Sequence, residues 1–532
     1  MQFYSTNITY QQTNSFTKLI TDYLNQNEEL QLFYKYNNNL QGIQEAMEHR
    51  SISTGTRKVL VQYFKNNYLE NVSTKQLENI KFLEKANCFT ITTAHQPNIF
   101  TGPLYVIYKI LHTIKLAESL QNKYTDKSFV PVFFMGSEDA DLIELGHINI
   151  DGKKLIWQTK QTGAVGRMLV DDTFIQVVQE IKGQIGVNTF GKELVEIFIS
   201  CYTKGKTIQH ATFELLNILF AEYGLLVLIP DDKSLKQEFI STIKKEVASS
   251  FSNKLVEQTN VELSKFYKTQ ANGREINLFY LIDDKRERIE KVGEYFVIES
   301  LNLKFTNTEM IAEIELHPER FSPNVILRPV FQETILPNIA FIGGAGELAY
   351  WMQLKKVFQA VNTDYPVLVL RNSFLLLNQK QQLVIEKLGF KVDDLFNNET
   401  DLLNKFVLKN SQQILNYSNE IIKLNKIFDS LKDQASKIDS TLLVHLKSIE
   451  VKTIKKIEAA EKKLLKAEKR KFTEQQLQIN KIKAQLFPSN KLQERVENFS
   501  FYYSKYGKEF FNILLQSSLS LEQEFTIITT EN

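Results

Sequence analysis

Apolar and polar positions divide the chain into three stretches. Residues 1 to about 85 are polar and rich in Asn and Gln, with Leu19, Tyr23 and Leu24 at helical spacing and Ser5 to Tyr10 suited to an extended run. From residue 89, short apolar runs alternate with amphipathic segments, the pattern of a parallel sheet with crossover helices. The spacing predicts strands at Phe89 to Thr93, Val130 to Met135, Leu225 to Ile229, Asn277 to Ile282, Val325 to Leu327, Ile339 to Ile342 and Pro366 to Leu370. Pro103 to Leu120 predicts a helix, with proline at its first position and Leu104, Tyr108, Leu111, Ile114 and Leu120 along one face. Segments near 151–215 and 240–320 are long for simple crossovers and predict inserted subdomains.

Beyond residue 385 the strand signals stop. Leu402, Phe406, Ile414, Ile421, Leu424, Phe428 and Leu431 predict one long helix, and Leu442 to Leu486 a second that Pro488 ends. The two predict an antiparallel helical hairpin. Charged residues at core-like positions interrupt its heptads, so no oligomer number follows. Two parts are expected: 1–385, an α/β core with N-terminal helices and connecting insertions, and 386–532, a helical coiled-coil domain.

Composition narrows the function. In 532 residues, 43% are hydrophobic and 24% charged, which suits a soluble globular chain and excludes a disordered one. Sixty-four Lys and Arg against 62 Asp and Glu leave a net charge of +2, so no whole-molecule field draws in nucleic acid or a membrane surface. The lysine-rich run 451–483 reads as the solvated face of a long helix, because it lacks the interleaved aromatics of a single-strand binder. Cys88 and Cys201 are too few for a disulfide framework and lack zinc-site spacing. With a polar start and no long apolar run, a cytoplasmic protein is expected.

Three constellations carry candidate chemistry. The first runs from Thr92 through His95, Gln96, Asn98, Thr101 and Gly102 to Pro103 and Tyr105, between a strand end and a helix start, where α/β folds bind anions. A plain helix-capping turn is the bland alternative. The second follows the strand at 130–135: Glu138, Asp139 and Asp141, with Glu144 and His147 beyond, could bind a metal, orient an amine or act as a base. Its alternative is an acidic helix N-terminus. The third is Gly343-Gly344-Ala345-Gly346-Glu347, which allows close ligand approach but lacks the Lys-Ser/Thr pair of a P-loop. A polar loop from His317 to Asn324, then Arg328, is read as entering a strand.

These residues, taken together, resemble the bacillithiol biosynthesis cysteine-adding enzyme family. The resemblance rests on His95-Gln96-Pro97-Asn98-Ile99-Phe100-Thr101-Gly102-Pro103-Leu104-Tyr105, Val130-Pro131-Val132-Phe133 with Ser137-Glu138-Asp139, and Asn277 to Tyr280. It continues through His317 to Val325, Leu327-Arg328-Pro329, Gly343-Gly344 with Glu347 to Trp351, and Leu486-Phe487-Pro488 with Leu492 to Arg495. It implies a Rossmann-type core like that of class I nucleotidylyltransferases, inserted subdomains, and a coiled coil that makes a homodimer. The implied reaction is ligation of L-cysteine, through its carboxyl group, to the amine of glucosaminyl-malate.

The resemblance also assigns roles. His95 and Asn98 are implied near nucleotide phosphates, and Glu138, Asp139 and Asp141 at an amine. Gln96, Thr101, Gly102, Tyr105, His147, Arg328, Gly343, Gly344, Glu347 and Trp351 are implied as substrate- or nucleotide-binding. No metal ligand is assigned, and ATP, giving ADP or AMP, is the activating co-substrate the chemistry suggests. Ala94 replaces an expected glycine, and Ala140 a histidine, leaving His147 as the nearest substitute. A nucleotide-binding transferase with another acceptor, and a noncatalytic dimeric scaffold, remain the alternatives.

Overall fold

The computed structural model describes residues 2–69 and 72–531. Its central feature is a five-stranded sheet whose neighbours are all parallel. The strands are β1 (Cys88–His95), β2 (Ser128–Met135), β3 (Leu226–Leu228), β4 (Asn338–Gly343) and β5 (Val367–Leu370). They lie in the order β5-β4-β1-β2-β3. The chain winds outward from β1 to β3, then returns to the other side of β1 as β4, which makes a doubly wound sheet. Its switch point, between β1 and β4, is where such folds open a crevice for ligands.

The buried runs of β2 and β4 explain their place. Every residue of β2 and of β4 is buried, as strands covered on both faces must be. Helix α1 (Tyr105–Lys123) follows β1 and buries Ile107, Ile110, Leu111 and Ile114. Truncating one of these to alanine costs about 2–5 kcal/mol, the transfer term plus a cavity. Pro103 lies two residues before α1 and bridges to Asn498 instead of occupying the first helical position. The amide of Leu104 donates to Glu497 O at 2.7 Å, so the helix entrance is set by a segment almost 400 residues away.

Two predicted strands behave differently. Asn277 to Ile282 yields a strand, Leu278–Ile282, but it lies in a separate antiparallel sheet between Phe321–Pro323 and Lys285–Arg288. The reason is local: Asp283, with φ of 47°, turns the chain back within two residues. Val325 to Leu327 is no strand. Asn324 Oδ1 accepts from the Ile326 amide at 2.9 Å, and the Arg328 amide donates to Asn324 O at 2.8 Å. That turn starts a helix, so Arg328 heads a helix rather than entering a strand. The remaining helices near the site are α2 (Leu142–Leu145), α3 (Lys233–Gln237), α4 (Arg328–Ile335) and α5 (Ala345–Trp351).

The chain divides by contact into two compact units. The larger comprises residues 1–11, 15–376 and 491–528, and the smaller 12–14, 377–490 and 529–532. The cut therefore falls at 376/377 instead of 385/386, and residues 491–528 group with the sheet-bearing unit.

In the smaller unit, the first long helix expected is interrupted, giving α6 (Glu399–Asn410) and α7 (Ser418–Ser436). The second is α8 (Leu442–Lys469), a short 3-10 turn, and α9 (Thr473–Leu486). Lys432 pairs with Glu450 at 2.7 Å, and the Tyr417 amide donates to Glu461 at 2.9 Å, a pairing that places α7 and α8 antiparallel. Most of the basic run is solvated, as expected, but Lys483 is buried and donates to Leu395 O at 2.7 Å. Among the described residues no helix is long and apolar enough to cross a membrane.

Candidate active site

A cleft of about 460 Å³ opens in the larger unit at the carboxyl ends of β1, β2 and β4. That volume suits a small-molecule ligand. β1 and β2 run in register, with His95 opposite Met135, so the loop after each strand reaches the same opening. His95 ends β1 and Gln96 follows it, Gly136, Glu138 and Asp139 come from the loop after β2, Gly344 follows β4 and Glu347 lies in the first turn of α5. Tyr105 and Lys109 reach in from α1, and Arg328 and Tyr350 from α4 and α5.

Several of these charges are fixed by partners. Lys109 is 1% exposed; its ammonium donates to Ala94 O at 2.9 Å and pairs with Glu347. Glu347 also accepts from the Gly344 amide at 2.8 Å. Burial lowers the Lys109 pKa, against the pull of Glu347. Glu138 is met by Lys236 on α3, itself 1% exposed, whose second contact is Glu319 O at 3.1 Å. Arg371, just past β5, forms a bidentate pair with Glu494 at 2.6 and 2.9 Å. Both are buried, and such a pair is geometrically specific.

Other charges in the cleft keep free valence. Arg328 donates to Tyr350 Oη at 2.7 Å and to Gln332 Oε1 at 3.2 Å. Arg286 donates from Nε to Ser322 at 3.1 Å and lies 3.9 Å over the Phe279 ring. Among the described residues, Arg286, Arg328 and Arg495 have no carboxylate at ion-pair distance, and all three line the cleft. Facing them are Asp139, which accepts from Gln96 at 3.2 Å, and Glu144 on α2. Neither carboxylate has a cation at ion-pair distance among the described residues.

His95 lies edge-on to Tyr105, with Tyr105 Oη 3.4 Å from Nε2. Loss of water around the ring, then the nearby positive charges of Lys109, Arg371 and Arg328, push its pKa well below the usual imidazole value. His95 is therefore neutral at neutral pH, with one ring nitrogen a donor and the other an acceptor. Burial pushes the Tyr105 hydroxyl up to about 12.

The fold gathers eight of the expected site residues at the cleft: His95, Gln96, Tyr105, Glu138, Asp139, Arg328, Gly344 and Glu347. The others are absent from the cleft lining, although the Asn98 side chain adjoins the His95 ring and opposes the fall in its pKa. Asn98 is buried beneath Gly102, whose φ of 65° leaves no room for a Cβ, which would meet the Asn98 side chain at 2.7 Å. Thr101 is buried in the same left-handed turn. Asp141 caps α2 by accepting from the Glu144 amide at 3.0 Å. His147 lies outside the cleft and donates from Nδ1 to Ile143 O at 3.0 Å. Gly343 packs against Leu348 and Phe341, and Trp351 is core, stacked 4.2 Å from the Phe341 ring. Ala140 is exposed and lines nothing.

Lys109, Lys236, Arg286, Arg371 and Arg495 were not singled out from sequence. A lysine inside the apolar face of α1 and an arginine directly after the apolar strand β5 were the available signals. Among the described residues, no group of three or more His, Cys, Asp or Glu gathers as a metal ligand set.

Comparisons with known proteins agree along the whole chain. Residues 3–372 match the family described as bacillithiol biosynthesis BshC, N-terminal Rossmann-like domain, and residues 374–530 its C-terminal coiled-coil domain. Three relatives share the name "Putative cysteine ligase BshC". That of Flavobacterium johnsoniae is 38% identical over 525 residues, covering 98% of this chain and 99% of the relative. That of Christiangramia forsetii is 39% identical over 531 residues, covering 98% of each. That of Cytophaga hutchinsonii is 40% identical over 490 residues, covering 92% of each.

Proposed function

The chain belongs to the bacillithiol biosynthesis BshC family, and from that premise we propose that it joins the carboxyl group of L-cysteine to the amine of glucosaminyl-malate. The observation that carries this reading is the charge left over in the cleft. Among the described residues, three guanidiniums without a carboxylate at ion-pair distance face two carboxylates without a cation at that distance. Substrates that bear several anionic groups and an amine complement that arrangement.

An unactivated carboxylate resists attack by an amine, so the carboxyl is first converted to a mixed anhydride with phosphate, for which ATP is the proposed donor. Arg328 and Arg495, beside the paired Lys109 and Arg371, stabilise the phosphate charge that grows in that step. A neutral His95 donates a hydrogen bond there without adding a further charge. Glu138, held by Lys236, and Asp139, held by Gln96, orient the amine.

The reading extends to a cytoplasmic homodimer formed through α7 and α8, on which Ile422, Ile427, Leu431 and Val451 are exposed. Mass spectrometry of thiols tests the activity, using purified protein, cysteine and glucosaminyl-malate with and without ATP. A cysteinyl-glucosaminyl-malate mass that disappears in Asp139→Ala is the expected result. An adenylated product instead would favour a nucleotidylyl transferase, and no product from folded protein would remove the ligase reading.

A further inference from the structure

Four carboxylates line the cleft, and three of them are already engaged. Glu138 is met by the Lys236 ammonium. Glu347 takes the Lys109 ammonium and the Gly344 amide. Asp139 uses Oδ2 for Gln96 and Oδ1 for the Asp141 amide at 3.0 Å. The fourth, Glu144, accepts no hydrogen bond and forms no ion pair on its carboxylate among the described residues, although it lines the same opening. Its backbone is fixed, because the Asp141 side chain caps α2 through the Glu144 amide.

We propose that Glu144 is the general base that removes the proton from the attacking amine. This rests on the ligase reading above. In the step concerned, the amine lone pair attacks the carbonyl carbon of the cysteinyl mixed anhydride and the C–N bond forms. The C–O bond to phosphate breaks and its electron pair leaves with the phosphate oxygen. The proton lost from nitrogen goes to the Glu144 carboxylate, which later returns it to water. A base needs an unengaged oxygen within reach of that proton. Glu138 and Glu347 each keep one, but through the other oxygen they are paired with Lys236 and Lys109, whereas among the described residues Glu144 has both oxygens free and no ammonium partner.

Its surroundings point the same way. Partial loss of water at the carboxyl, then the neighbouring Asp141 and Asp139 carboxylates, raises its proton affinity above that of an ordinary glutamate. Tyr105 on α1 couples to it electrostatically and, with its hydroxyl pushed up to about 12, stays neutral.

The test separates activation from amide formation. Wild type, Glu144→Gln and Glu144→Asp are assayed with cysteine and ATP, once with glucosaminyl-malate and once with hydroxylamine. Hydroxylamine is already unprotonated at neutral pH and traps activated cysteine as a hydroxamate without help from a base. Glu144→Gln is expected to lower the rate of amide formation by about 10²-fold or more, with hydroxamate formation unchanged and Glu144→Asp recovering part of the loss. Amide formation at the wild-type rate in Glu144→Gln overturns the proposal. So does a parallel loss of amide and hydroxamate, which marks a structural or binding role. Wild type that forms neither product overturns the ligase reading itself, and Glu144 with it.

Discussion

The cleft of the larger unit and the helices α8 and α9 of the smaller one are both dense in charge, yet their charges differ in kind. On α8, α9 and the turn between them the lysines follow one another in sequence and mostly project into water, as Lys471 does in that turn, 65% exposed beside Glu468. In the cleft, Lys109, Arg286, Arg328, Arg371 and Arg495 come from five separate places in the chain, and two of them are almost wholly buried. Water screens the first set, so each pair contributes little. Burial removes that screening from the second, so each charge requires a partner or a ligand. A conspicuous charge run in sequence is thus weak evidence of chemistry, whereas isolated charges that converge out of apolar segments are strong evidence.

The sharpest way to break this comparison is at the Arg371–Glu494 pair. Replacing Arg371 by Met strands a buried carboxylate, and a loss of about 3–5 kcal/mol is expected in denaturant melts. A loss no larger than that of a surface pair would remove the contrast.

Next comes pH. His112, fully buried on α1, accepts from the Asn372 amide at 3.0 Å and donates to Ser520 O at 2.7 Å. Burial lowers its pKa to about 4, so the folded state holds the neutral ring while the unfolded chain protonates near the ordinary value. The unfolded state therefore binds the extra proton between those values, and stability falls on acidification from about pH 6.5 to about 4, by about 3 kcal/mol. His112→Gln should flatten the melting temperature over that window.

A smaller effect separates the unpaired cleft cations from the paired ones. Arg328→Gln and Arg495→Gln should each weaken binding of an anionic substrate by about 10- to 100-fold in KM, the worth of about one or two charged hydrogen bonds, while leaving stability nearly unchanged. Isothermal titration beside a thermal melt distinguishes the two outcomes. Smallest of all, Lys462→Gln or Lys466→Gln on α8 should change stability by less than about 0.5 kcal/mol. A larger change in either would show those lysines to be more than a solvated face.

Much of the fold was legible in the sequence. Five of the seven predicted runs became the parallel sheet, because fully buried strands read as unbroken apolar segments. Of the other two, Asn277 to Ile282 is a strand as expected but joins a separate antiparallel sheet because Asp283 turns it into a hairpin, and only Val325 to Leu327 was misread, because Asn324 turns it into a helix start. Neither turn changes the apolar pattern that made the prediction. The chain's return at residues 491–528 left no signal either, since contact between distant segments is not written in local periodicity.

For the site, the sequence by itself determined which loops matter. Polar residues that follow an apolar strand end are exposed at one edge of a sheet, and His95, Glu138, Asp139, Gly344 and Glu347 all came from that rule. Tertiary structure alone decided which carboxylates are engaged and which are free. Lys236 commits Glu138, Lys109 commits Glu347, and Glu144 is left open. It also brought Arg495 to the cleft and its buried neighbour Glu494 onto Arg371, more than 120 residues away in the chain. Pairing of charges depends on distance and on exclusion of water, and both are properties of the folded chain, not of the order of its residues.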